Sequence, residues 1–372
     1  AVSTLARAAQ PCPPPQVTVS GGTSASTACP IVTSGGTLAS VAASMPAGSW
    51  AQVTPANDQN VVLGVGPTSG TMLHYCNSMP WNPVSKAIEI IGMDHNYPSL
   101  RHVRYLEGTN QFAVVADNAG VGTGHGYDHS AVNPYTGDLY QRLYSGFSGR
   151  ISTRRKMNGA SSFTAIADVA AADQVAIGTC WWSGSFAGAG SQGCFMVFNS
   201  GNATGSARDG HIAAYDPLSS TWFYSQENKA PYYGSGATYH SVIEYSAKKN
   251  VAVFGGGNVA SNKLWRLNAD GSSVAMPDVP SGKGVGIQKG LLVDDPVTGN
   301  FLLLSAGQLW ELNPSGGGSW TQLTGSRVPP SGVGNPSSPT AMICSSISTH
   351  GVVAFITQPN QNGGSFFLYK HA

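Results

Sequence analysis

Apolar and polar residues along the chain form a hairpin pattern that recurs about every 50 positions. Each copy is an apolar strand, a polar turn and a second strand rich in Val, Ile, Leu or Phe. The clearest copies begin at Asn77, His129, His240, Gly290 and Cys344. Many of their turns carry Asn, Asp, Pro or Gly, residues whose backbone preferences favour tight reversals. The pattern predicts an all-β chain built from a repeated unit.

A second pair of strands follows each hairpin. Stretches that begin at His211, Leu264 and Leu309 read as an aromatic strand, a turn and a further strand, which gives four strands per unit. The spacing between the turns near Asn133 and Tyr245 is twice the usual one, so we place another unit at 174–228. This counts six units, and a seventh, degenerate unit before His74 is an alternative.

The two ends of the repeat region lack complementary strands. Ser49–Val53 reads as an outer strand with no hairpin before it, and 366–370 reads as a strand with no outer strand after it. Pairing the two would close a ring and remove an exposed edge. We therefore predict a six- or seven-bladed β-propeller over residues 48–372. Residues 1–47, rich in Pro, Ser, Thr and Gly, form an N-terminal extension.

The four-stranded units resemble the blades of kelch-type propellers, including the central domain of galactose oxidase and the propellers of ulvan lyases. The resemblance covers about residues 48–372. It implies a ring whose functional groups converge around the central channel on one face. Propellers host many activities, so the resemblance speaks to the fold more than to the chemistry.

Composition narrows the class of partner. Charged residues are only 10% of the chain, and the formal net charge is +1 with no long basic run, which argues against nucleic-acid binding. No stretch approaches the ~20 apolar residues of a spanning helix, so we expect no membrane span. The remaining expectation is a monomer that recognises a polysaccharide or another glycan.

Six cysteines are compatible with three disulfides. We predict a Cys180–Cys194 bridge, and Cys12 with Cys29 would fasten the N-terminal extension. Disulfides imply an oxidising compartment, so the expected location is secreted or periplasmic. Buried thiols in a cytosolic protein are the alternative.

Polar residues collect at the starts of the first strands and in the loops beside them. The catalytic candidates are His129, His240, Tyr239 and Arg208. The substrate-binding candidates are Asn77, His95, His125, Tyr127 and Lys289. Because His129-Ser130 and His240-Ser241 are identical pairs, the two histidines read as the same position in two blades.

These residue types suit β-elimination on a uronic acid. A base must remove the proton beside the carboxylate, a cation or amide must neutralise that carboxylate, and an acid must protonate the leaving oxygen. His129 or His240 would be the base, Tyr239 or Tyr127 the acid, and Arg208 or Lys289 the neutralising group. Ulvan lyases use a similar set, so we predict a secreted carbohydrate-active protein, a polysaccharide lyase.

Other functions fit less of the sequence. A non-catalytic propeller that binds a glycan or a protein is the main alternative. The Tyr239-His240 pair is similar to that of copper radical oxidases, but their cross-linked Tyr–Cys pair has no counterpart at comparable spacing. A glycoside hydrolase needs paired carboxylates, for which Asp94, Asp128 and Asp209 are the best loop residues. We assign no cofactor, and a structural metal ion such as calcium is the one considered.

Overall fold

The structure is a computed structural model in which nearly all regular structure is strand. It describes residues 32–34, 36–64, 71–92, 97–99, 101–116, 121–124, 129–145, 150–167, 178–199, 210–226, 229–230, 240–258, 260–331, 333, 341–358 and 364–372. Within these ranges the helices are α1 (Leu38–Ser44) and α2 (Gln59–Leu63), and 3-10 turns lie at Glu107–Thr109 and Gly325–Arg327.

The strands are β1 (Val32–Ser34), β2 (Ser49–Val53), β3 (Trp81–Asn82), β4 (Ala87–Gly92), β5 (Tyr97–Ser99), β6 (Arg101–Leu106), β7 (Gln111–Ala116), β8 (Val121–Gly124), β9 (Ser130–Val132), β10 (Leu139–Ser145), β11 (Arg150–Lys156), β12 (Thr164–Ala165), β13 (Gly178–Trp182), β14 (Cys194–Asn199), β15 (His211–Asp216), β16 (Thr221–Gln226), β17 (Val242–Ser246), β18 (Val251–Gly255), β19 (Leu264–Leu267), β20 (Ser273–Ala275), β21 (Leu291–Asp294), β22 (Phe301–Ser305), β23 (Gln308–Asn313), β24 (Ser319–Gln322), β25 (Met342–Ile347), β26 (Val352–Thr357) and β27 (Ser365–Lys370).

The strands form six antiparallel blades, which confirms the predicted propeller. From the inner strand outward, blade 1 is β3-β4-β6-β7, blade 2 is β9-β10-β11-β12 and blade 3 is β13-β14-β15-β16. Blade 4 is β17-β18-β19-β20, blade 5 is β21-β22-β23-β24 and blade 6 is β25-β26-β27-β2. Strands β5 and β8 pair separately as a two-stranded ribbon. The predicted additional unit at 174–228 is blade 3.

Blade 6 closes the ring in the predicted way. Strand β2 pairs antiparallel with β27, with Trp50 opposite Tyr369 and Ala51 opposite Leu368. Strand β1 adds a fifth, parallel strand outside β2. Helix α1, which also belongs to the predicted extension, buries Leu38 beneath this blade. The closing strand therefore comes from the opposite end of the chain.

The turn between the first two strands is the same in five blades. It has a left-handed residue at the same place, namely Lys86, Gly137, Asn250, Gly299 and Gly351. Side-chain oxygens of Asn82 and Asn133 accept the backbone N–H of the residue two positions later, at 3.1 and 2.9 Å. These bonds are the turn chemistry expected from the sequence. Because the left-handed residue has the same place in each of these turns, positions counted back from it can be compared between blades.

Blade faces pack on one another through apolar side chains, and aromatic pairs join neighbouring blades. Phe198 of blade 3 lies 4.9 Å from Phe254 of blade 4, measured between ring centroids. Tyr140 of blade 2 lies 5.5 Å from Phe195 of blade 3. Because each blade buries both faces, the first and second strands read as nearly continuous apolar runs.

Two expectations from the sequence are wrong, the alternative of a seventh blade and the disulfide between Cys180 and Cys194. The seventh blade before His74 does not exist in the part described, because residues 71–80 make only isolated bridges to Ala341 and Cys344 of blade 6. The Cys180–Cys194 disulfide is absent, and both residues are thiols. Cys180 pairs with Met196, so Cys194 is its diagonal neighbour. Diagonal Cα atoms lie about 7–8 Å apart, too far for a disulfide.

Cys12 and Cys29 lie outside the described residues. Neither described helix is long and apolar enough to cross a membrane.

Candidate functional site

The predicted site residues that the structure describes stand near the start of the inner strands. Counted back from the left-handed turn residue of their blades, His240 and Lys289 are both ten positions away, Asn77 is nine and His129 is eight. At about 3.3 Å per residue, they lie within about 7 Å of one another along the channel. The inner strands therefore bring these four residues to the same end of the ring.

The same register corrects one prediction. His129 and His240 are not equivalent, because the stretch from His240 to its turn is two residues longer. The blade-4 residue that matches His129 is Val242. Lys289 of blade 5 is the residue that occupies the position of His240, in the neighbouring blade. An imidazole and an ammonium group thus start adjacent inner strands at the same height.

His240 is held in a strained conformation at this end of the channel. Its φ is +75°, which is costly for a non-glycine residue, and it is only 8% exposed. Its carbonyl accepts the backbone N–H of Ile287 at 3.0 Å. Gly286 must be glycine, because its φ is +120° and a Cβ would lie 2.5 Å from that carbonyl oxygen. The connection into blade 5 therefore packs directly on His240.

The structure adds a tyrosine and a histidine that the sequence analysis missed. The ring of Tyr75 lies 5.6 Å from that of His240, and the His74 ring lies 6.0 Å from Tyr75, measured between centroids. Tyr75 also has a left-handed φ, +56°. His74 forms a β-bridge with Ala341, which is ten positions before the turn of blade 6. We call His74, Tyr75, Asn77, His129, His240 and Lys289 the axial cluster.

Asn77 brings an unusual polar group to the axial cluster. The residue is fully buried, and neither amide atom of its side chain has a hydrogen-bond partner within the described structure. Its backbone carbonyl, by contrast, accepts the Cys344 N–H at 2.9 Å. A buried amide without partners lowers the free energy of unfolding by about 1–3 kcal/mol, so Asn77 destabilises the fold at this position.

The other two predicted residues differ in their accessibility. His129 is 2% exposed, and its carbonyl accepts the backbone N–H of Arg142 at 2.9 Å. Lys289 is exposed, and its carbonyl accepts a hydrogen bond from the Ser305 hydroxyl at 3.1 Å. Lys289 can therefore meet a ligand directly, whereas His129 lies in the wall of the cluster.

Five predicted site residues lie outside the described residues. They are Arg208, Tyr239, His95, His125 and Tyr127. Within the described ranges, no three His, Cys, Asp or Glu side chains group closely enough to hold a metal ion, and we place no calcium or copper there.

Comparisons with known proteins give a fold and no family. No protein-family model matches the chain, and no curated protein matches it. Among solved structures, a Penicillium chrysogenum alpha-L-arabinanase bound to arabinobiose is 13% identical with a TM-score of 0.50, and covers 83% of this chain and 97% of its own. A Bacteroides thetaiotaomicron protein of unknown function is 10% identical with a TM-score of 0.49, over 80% of this chain and 70% of its own.

A virginiamycin B lyase from Staphylococcus aureus is 8% identical with a TM-score of 0.42, over 79% of this chain and 94% of its own. At 13% identity, the arabinanase match is evidence for the architecture alone, and no family model supports the finer kelch assignment. The chain is a six-bladed β-propeller of four-stranded blades.

Proposed function

We propose that the axial cluster is the active site of a polysaccharide lyase that cleaves a uronic-acid-containing glycan by β-elimination. The observation that carries the proposal is the contact between Tyr75 and His240, whose rings are 5.6 Å apart. Both residues have a strained backbone, and strained residues concentrate at active sites. A polymeric substrate of this kind lies outside the cell, so the proposal includes export to the medium or the periplasm.

The reaction needs two proton transfers beside a neutralised carboxylate. The base removes the C5 proton of the uronic acid, and that electron pair forms the C4–C5 double bond. The C4–O4 bond breaks, and the leaving O4 takes a proton from the acid. Tyr75 and His240 are the proposed proton-transfer pair, because imidazole and phenol are common general acid–base groups.

Lys289 and Asn77 supply the third requirement. The Lys289 ammonium group starts the strand beside His240, and the Asn77 amide lies unpartnered at nearly the same height. Either group would stabilise the negative charge that develops on the carboxylate in the transition state. Arg208 and Tyr239 remain proposals for the same neutralising and proton-transfer roles.

The test is turnover on a panel of uronic-acid polysaccharides, followed by absorbance of the unsaturated product. His240→Ala and Tyr75→Phe should each lower turnover by about 10²–10⁴-fold, the usual contribution of general acid–base catalysis. His350→Ala is the matched control, because His350 lies in the turn of blade 6 at the other end of the strands. Full turnover by His240→Ala, or no unsaturated product from any substrate, would refute the lyase.

A non-catalytic glycan-binding propeller is the second candidate, and the burial of His129 and Asn77 favours it. Side chains this buried brace a blade more readily than they reach a polymer. In that case His129→Ala should lower the melting temperature and leave glycan binding by the folded fraction unchanged. Melting and binding measured on the same variant separate bracing from recognition.

A further inference from the structure

A cavity of about 180 Å³ lies between the inner strands at the other end of the channel. All six blades contribute to its wall, for example through Trp81, Ser130, Thr179, Glu244, Asp294 and Ser345. Trp81 and Asp294 lie five positions before the left-handed turn residue of their blades, whereas the residues of the axial cluster lie eight to twelve positions before it. The cavity therefore extends towards the turns, and its opposite end adjoins the proposed active site at Ser78 and Ser130, which directly follow Asn77 and His129 in the sequence.

Its size exceeds that of a hydration site. A single ordered water needs only about 10–15 Å³ of such space. The cavity wall also reaches the turns themselves, through Pro83, Pro134 and Ser348. It can therefore accept a small organic group that enters from the turn side of the ring.

The wall has a consistent chemical character. Hydroxyl groups come from three separate parts of the ring, at Ser78, Ser130 and Thr179, and from Ser345 and Ser346 of blade 6. Aromatic rings come from Trp81, Trp181 and Tyr245, and carboxylates from Glu244 and Asp294. Of the described residues in the wall, none is Lys, Arg or His.

We propose that this cavity binds one neutral sugar unit, as a second carbohydrate site next to the axial cluster. A sugar ring has hydroxyls around its edge, which match hydroxyls and carboxylates distributed around the channel. Its apolar C–H faces match the aromatic walls, and few polar groups among apolar surfaces are typical of ligand pockets. The described wall contains two carboxyl groups and no cationic side chain, a composition that disfavours an anionic sugar.

Asp294 supports a neutral ligand rather than a cation. Burial raises the pKa of its carboxyl to about 7, although a hydrogen bond with the Ser346 hydroxyl opposes the rise. At neutral pH this carboxyl is therefore protonated in much of the population. A protonated carboxyl both donates and accepts hydrogen bonds, as sugar hydroxyls require, and it attracts a cation only weakly.

The surface around the turns offers room for the remainder of a glycan. Val84, Tyr135 and Val297 occupy the same turn position in blades 1, 2 and 5, and they are 47%, 55% and 38% exposed. The Tyr135 hydroxyl donates to the Ser183 carbonyl at 2.9 Å, which holds the ring in place on this surface. Exposed apolar side chains clustered at one end of a protein often mark a contact surface.

The test is ligand-detected NMR and calorimetry with glucose, galactose, xylose and arabinose as probes. We expect saturable binding of at least one of them. Glu244→Gln should weaken that binding at least tenfold, and Thr179→Val at least threefold. Galacturonate should bind at least tenfold more weakly than galactose at pH 8, where the Asp294 carboxyl is mostly charged. If Glu244→Gln fails to fold, Thr179→Val alone tests whether the wall binds the sugar.

His240→Ala separates this proposal from the lyase. Sugar binding should persist in that variant, whether or not polysaccharide turnover exists. Three results would overturn the second site: none of the four sugars binds, binding survives both wall substitutions, or binding is lost in His240→Ala. Binding of glucosamine or Ca²⁺ alone, with loss in Glu244→Gln, would replace the neutral sugar with a cation.

Discussion

At the scale of single residues, the carboxyl of Asp294 couples the cavity to pH. Burial raises its pKa to about 7, and the neighbouring Asp295 adds to the rise. An unfolded aspartate has a pKa of about 3.9, so the folded protein binds more protons than the unfolded chain between about pH 4 and pH 7. Folding stability from this group therefore falls as pH rises through that window, and none remains above it.

Asp294→Asn should remove this dependence. We expect the variant to be more stable than the wild type above pH 7, with a difference that shrinks towards pH 4. Melting temperature measured against pH on both proteins provides the check. Asp278→Asn is the control, because the Asp278 side chain is 51% exposed. A variant that is less stable than the wild type at pH 8 would contradict the assignment.

The sequence predicts some residues of the axial cluster and not others. His240, Lys289 and Asn77 are found because they start strands of recurring hairpins. His74 and Tyr75 are missed because residues 71–80 have no strand alternation and reach the channel through isolated bridges. The sequence also does not reveal the relative heights of these residues along the channel. Heights are counted from the left-handed turn residue, which is a lysine in blade 1 and an asparagine in blade 4 instead of glycine.

At the scale of secondary-structure elements, the hairpin pattern predicts six blades correctly because both faces of each blade are apolar. It fails at the cysteines, because spacing along the chain says nothing about diagonal or direct pairing between β13 and β14. The Cys194 side chain lies fully buried in the core between blades 3 and 4. Register between strands, rather than sequence distance, decides which side chains can bond.

The buried thiols should be unreactive in the folded protein. Burial raises the pKa of the Cys76 and Cys194 thiols, so little of the reactive thiolate forms at neutral pH. We expect neither residue to be alkylated under native conditions, and both to be alkylated after denaturation. Peptide mapping by mass spectrometry gives the result for each cysteine. A Cys180–Cys194 peptide linked by a disulfide would contradict the register.

At the scale of the whole molecule, one interface decides whether the ring is closed. Strand β2 carries Trp50, whose indole N–H donates to the Arg327 carbonyl at 3.1 Å. Its ring lies 4.7 Å from that of Tyr369 and 5.3 Å from that of Phe355. The sequence predicts this closure because the unmatched strands at the two ends complete one blade.

Trp50→Ala should destabilise the protein much more than Trp320→Ala does. We expect a loss of about 3–5 kcal/mol, because a large buried ring leaves a cavity. Trp320→Ala is the matched control, since Trp320 is in the outer strand of blade 5 and is only half-buried. Denaturant unfolding of both variants measures the difference. Equal losses would mean that the closing strand has no special role.

The closure also sets the order of events during synthesis. The partner residues Val53 and Phe366 are separated by more than 300 positions. At about 5–20 residues per second, the ribosome needs roughly 15–60 s to reach the second after making the first. During that interval β2 has no partner in blade 6, so the edge of a growing arc of blades stays exposed. The nascent chain must be shielded from other strands until its last blade is complete.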